Sequence, residues 1–124
     1  MKNLLMFLSA LLLLTWTHPA GANEEQLVKQ RVDTMVEAIN HGKPATDFAA
    51  DAYTPYVFIM EASGKLLVHP YLQQEYLPEK AAPIYEVLQQ ATKEGLWVQY
   101  LWKGKEKKSY VRRTNNNLII GSGY

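Results

Sequence analysis

The sequence predicts an α+β fold: one long amphipathic helix, then a five-stranded antiparallel sheet interrupted by a short helix. Three observations predict it. Apolar residues recur at helical spacing from Val28 to Ile39. Five later runs are short and bounded by Gly, Pro or Asn, and all but the fourth are largely apolar. The last three of these runs are joined by short turns, which favours an antiparallel meander. Helices and strands segregate rather than alternate strictly, which argues against a parallel sheet.

Asn23 to Asn40 carries Val28, Val32, Met35, Val36 and Ile39 on one stripe, with Asn23 as the expected cap and Glu24 and Glu25 at the positive end of the helix dipole. His41-Gly42-Lys43-Pro44 stops the helix, and Phe48 is expected to plug the core beneath it. Tyr53 to Glu61 is the first expected strand, with Pro55 near its start. Ala62 to Lys65 forms a turn, and Leu66 to His69 is the second strand, ended by Pro70. Tyr71 to Pro78 is irregular and aromatic. Pro83 opens a short helix with a stripe of Ile84, Val87, Leu88 and Ala91, closed by Gly95. Leu96 to Trp102, Lys107 to Thr114 and Leu118 to Ser122 complete the sheet, joined by turns at Lys103 to Glu106 and Asn115 to Asn117. Apolar residues on both sides of the strands require cover on both faces. The long helix is expected on one, and Tyr71 to Glu94 on the other.

The first 22 residues read as an export signal: Lys2, the apolar run Leu4 to Trp16, and Ala20-Gly21-Ala22 in the small-x-small cleavage pattern. The expected domain is residues 23–124, in the periplasm. The run is short for a membrane span, which needs about 20 apolar residues, so an uncleaved anchor is the lesser alternative. Cysteine is absent from the chain, which excludes disulfides, thiolate metal sites and a Cys nucleophile. Without Lys2, the 13 Lys and Arg balance the 12 Asp and Glu, so no global basic field invites nucleic acid. The local cluster Lys103, Lys105, Lys107 and Lys108 reads mainly as a solvated hairpin end.

Catalytic signatures are missing. No nucleophile elbow surrounds Ser63, Ser109 or Ser122, and Gly121-Ser122-Gly123 lacks a following helix. His41 and His69 have no metal-ligand spacing, and no glycine-rich phosphate loop occurs. The expectation is therefore a binding protein, not an enzyme, with no cofactor and no metal. Side chains alternate along strands. Tyr100 and Trp102 share one face of the third strand, and Lys108 and Tyr110 share one face of the fourth. If those faces coincide, the four line one wall of an apolar pocket with polar heads. His69 would aim a ring N–H into it, and Tyr56 would sit at its rim. A desolvated lysine beside tyrosine hydroxyls favours a small organic anion, a carboxylate being the simplest.

Tyr56 to Glu61, Leu66 to Pro70, Gly95 to Trp102, Lys108 to Val111 and Ile119 to Tyr124, in this order and spacing, resemble the single Cache domain. That module is a PAS-like extracytoplasmic sensor of bacterial receptors. The resemblance implies a five-stranded antiparallel sheet with a long N-terminal helix on one face and a short helix and loops on the other. It implies small-molecule binding without chemistry, and makes Lys108, His69 and the tyrosines ligand contacts. The usual member continues into a second membrane span and an output domain. This sequence stops at Tyr124, so the expected form is free-standing, read by a membrane receptor or sensor kinase, with a homodimer through the N-terminal helix as a further expectation. The alternative is a protein–protein interaction module whose aromatic strand faces a partner.

Overall fold

The computed structural model describes residues 20–124; of the export signal, Lys2 and the apolar run Leu4 to Trp16 lie outside them. Helix α1 spans Ala20–Asn40. It starts ahead of Asn23, which is therefore a helical residue and not a cap, since the alanines before it are strong helix formers. Its stripe of Val28, Val32, Met35, Val36 and Ile39 is buried as the spacing requires. Among the described residues no helix is long and apolar enough to cross a membrane.

Five strands come after it: β1 (Val57–Glu61), β2 (Leu66–Val68), β3 (Leu96–Trp102), β4 (Lys105–Arg113) and β5 (Leu118–Gly123). Two short helices, α2 (Leu77–Lys80) and α3 (Ala82–Leu88), lie between β2 and β3. The sheet order is β2-β1-β5-β4-β3 and every pairing is antiparallel. The fold is therefore α+β, a five-stranded antiparallel sheet with helices on both faces. β1 is shorter than the expected strand from Tyr53, because residues 50–52 form a 3-10 turn and Tyr53 to Pro55 bend before pairing begins at Val57.

Alternation divides the core into two layers. Val57, Ile59, Tyr110 and Ile120 face α1, joined by Phe48 and Trp97. Phe58, Met60, Val98, Val111 and Ile119 face Leu77, Ile84 and Leu88 of the short helices. The β1–β2 turn tucks under α2: Gly64 has φ +103, and a Cβ there would lie 2.3 Å from Cδ of Pro78. Tyr85 and Gln89 both donate to the carbonyl of Ala62, at 2.8 and 3.1 Å, which ties α3 to the same turn.

The β3–β4 hairpin fixes which side chains meet on each face. Trp102 pairs with Lys105 across a two-residue loop, Lys103-Gly104, whose φ values of 52 and 79 are both positive. Loops of this kind match the twist of the flanking strands. A two-residue loop places even-numbered residues of β3 opposite odd-numbered residues of β4, and opposite residues share a face.

Candidate ligand-binding site

Tyr100 lies opposite Lys107, Trp102 opposite Lys105 and Val98 opposite Ser109. Lys108 and Tyr110 instead lie opposite Gln99 and Trp97, on the α1 face. The expected wall of Tyr100, Trp102, Lys108 and Tyr110 therefore does not form, and the hairpin register is the reason. Lys108 donates to Glu25 of α1 at 2.6 Å and lies 5.0 Å from the Trp97 ring centre. This partner raises the Lys108 pKa, and Lys108 in turn lowers that of Glu25. Tyr110 is buried against α1, and its hydroxyl donates to the carbonyl of Glu94 at 3.1 Å. Replacing Lys108 by methionine is expected to remove the Glu25 contact and leave any anion affinity unchanged; a calorimetric titration of the variant checks this.

Of the two β4 lysines on the Tyr100 face, Lys105 is exposed at the hairpin tip and Lys107 is half-buried. The Lys107 ammonium donates to the Tyr56 hydroxyl at 2.9 Å and lies 4.0 Å from the centre of that ring. No carboxylate among the described residues pairs with it. Burial lowers its pKa to about 8. His69 stands beside it, its ring 5.3 Å from Tyr56, 4.7 Å from Tyr71 and 6.0 Å from Trp102. Its Nδ1 accepts from the backbone N–H groups of Tyr71 and Leu72 at 3.3 and 3.1 Å. The proton of the neutral ring is thereby assigned to Nε2, a donor with no partner among the described residues. Burial, and then the charges of Lys107 and Lys103, lower the His69 pKa to about 4.

The tyrosines complete the enclosure. Tyr100 shares a 2.9 Å hydrogen bond with Ser109, and burial raises its pKa, as it does that of Tyr56. Trp102 donates to the Tyr71 hydroxyl at 2.8 Å, closing the outer side. Inside lies a hollow of about 20 Å³, bounded by Tyr56, His69, Tyr100, Trp102 and the apolar side chains of Phe58, Leu66, Leu77, Ile84 and Leu88. That is room for about one water. Outside it runs an open groove of about 740 Å³, walled by Ile84, Val87, Pro83, Tyr100 and Trp102, with Lys80 and Lys103 among its lining residues. Ile84, Tyr100 and Trp102 border both, so the two spaces lie side by side.

Of the residues singled out from sequence, the fold thus brings Tyr56, His69, Tyr100 and Trp102 together and sends Lys108 and Tyr110 to the other face. Lys107 and Tyr71 were missed. The Lys-Gly pair at the hairpin tip was the signal for Lys107. Among the described residues no group of three or more His, Cys, Asp or Glu side chains is placed to hold a metal ion.

Burial of His69 makes stability depend on pH. The imidazole binds a proton more weakly folded (about 4) than in its ordinary state (6.5). Stability from this group is full above 6.5 and is lost as pH falls toward 4. The melting temperature is expected to drop over that window and to drop less in His69→Gln, as a series of melts at stepped pH would show.

No family model matches the chain, and no curated protein matches it. Among solved structures, a methyl-accepting chemotaxis protein from Vibrio parahaemolyticus RIMD 2210633 is similar over 99% of this chain and 83% of that chain, with 15% sequence identity and a TM-score of 0.42. The strand order and register of this chain stand independently of that likeness.

Proposed function

We propose that the chain is a sensor-type binding domain for a small organic anion, with a carboxylate held by Lys107 and the Nε2–H of His69. One observation carries the reading: His69, whose Nε2–H has no partner among the described residues, borders the hollow together with Tyr56, and the Tyr56 hydroxyl holds a half-buried ammonium, that of Lys107, with no carboxylate partner among those residues. Burying a cation without an anion is unfavourable, and an incoming carboxylate relieves it with charge-assisted hydrogen bonds. The apolar groove favours an organic body over an inorganic ion. The hollow of about 20 Å³ holds about one water, so a bound acid has to widen it.

On this reading the protein binds its ligand unchanged and turns nothing over. The resemblance to single Cache domains supports a periplasmic setting and a signalling partner, a membrane receptor or sensor kinase, that reads the bound state. The test is a thermal-shift screen of monocarboxylates of increasing size against amines and amides of matching size. A carboxylate at ~100 times its dissociation constant adds about 2.7 kcal/mol of stability. Shifts with amines alone, or with none of the three classes, contradict the proposal.

A further inference from the structure

The groove next to the hollow has a volume of about 740 Å³, within the range of about 300–1,000 Å³ that holds a whole small ligand. Pro83, Ile84 and Val87 of α3 form its helix side, and Tyr100 and Trp102 of β3 its strand side. The charged residues lining it are Lys80 and Lys103, and none is acidic. Lys80 is paired with Glu75 at 3.1 Å. Lys103 lies 4.4 Å from the centre of the Tyr71 ring and has no carboxylate partner among the described residues. The three side chains shared by hollow and groove are not equally fixed. Ile84 is buried in the layer beneath the short helices, and Tyr100 is tied to Ser109 at 2.9 Å. Trp102 is half-buried, and its indole makes one hydrogen bond, to the Tyr71 hydroxyl.

We propose that the ligand is a carboxylic acid with an uncharged, unbranched apolar chain, and that this chain displaces the Trp102 indole and lies in the groove between α3 and β3. The inference rests on the carboxylate reading above and adds the class of acid. An acid must widen the hollow, and the side chain that yields most readily, Trp102, separates it from the groove. A chain passing there buries its methylenes against Pro83, Ile84 and Val87. A terminal ammonium on the chain would meet lysines and no acid, so ω-amino acids are rejected.

Calorimetric titration with linear acids from acetate to octanoate tests this. Affinity is expected to rise about fourfold with each added methylene until the groove is filled. The ω-amino acid of octanoate's length should bind at least about tenfold more weakly than octanoate. Val87→Glu, which sets a carboxylate in the groove wall, should weaken octanoate at least about tenfold and leave acetate unchanged. Octanoate brominated at its chain end should quench the fluorescence of Trp102, a change lost in Trp102→Phe; this second readout needs no groove variant to fold. Affinity that is flat from acetate to octanoate, with acetate still weakened by Lys107→Met, overturns the inference and leaves the carboxylate reading standing. Binding of no acid overturns both. A gain with chain length that survives Val87→Glu, or an ω-amino acid that binds as well as the plain acid, places the chain outside this groove and overturns the inference alone.

Discussion

Replacing Lys107 by methionine is expected to weaken carboxylate binding about 10- to 150-fold, the worth of a charge-assisted hydrogen bond, while the chain stays folded. The fold should even gain. Lys107 is held near pKa 8 against an ordinary 10.5, so its charged form is disfavoured in the folded state. That destabilisation is full below about 8, where both folded and unfolded chains carry the proton, and fades as pH rises toward 10.5. Lys107→Met should therefore melt above the parent at pH 7, with the difference shrinking from about 8 upward. Binding tracks the same group. Affinity for a monocarboxylate should fall as pH passes about 8, and binding above that point should take up a proton. Melting curves and titrations at stepped pH check both. Equal affinity in Lys107→Met would remove this residue from the site.

The second large effect falls on the other layer. Ile120 is fully buried in β5, the middle strand of the sheet, opposite Ile59 on β1 and Arg112 on β4. Ile120→Ala removes apolar contact and leaves a cavity that the flanking strands prevent from closing, at about 2–5 kcal/mol. Each kcal/mol lowers the melting temperature of a domain this size by roughly 4–8 °C. The side chain faces α1, so while the variant is folded its carboxylate affinity should match the parent's. A loss under about 1 kcal/mol in denaturant titration would show that the layer collapses onto the gap.

The elements were legible because each repeats a short-range rule. The stripe from Val28 to Ile39, the alternation in β1 and β5, and the Gly and Asn turns all act over a few residues. Side-chain convergence between strands is a different kind of information. It depends on the parity of one loop, and a hairpin tip of two residues exchanged Lys107 for Lys108 in the site. That parity was readable in principle, since Lys103-Gly104 supports two positive φ values in succession. Contacts such as Trp102 with Tyr71, or Lys108 with Glu25, join residues 31 and 83 positions apart and leave no local trace. The role of Tyr71 therefore emerges only once the segment after Pro70 is folded against β3.

The most direct test is a crystal structure with the monocarboxylate that raises the melting temperature most. One carboxylate oxygen is expected at about 2.7–3.2 Å from Nζ of Lys107 and the other at similar distance from Nε2 of His69, with the Tyr71–Trp102 hydrogen bond broken or re-formed over the ligand. An acid seated away from both nitrogens, with the Lys107 ammonium still on Tyr56, would contradict carboxylate recognition at this site.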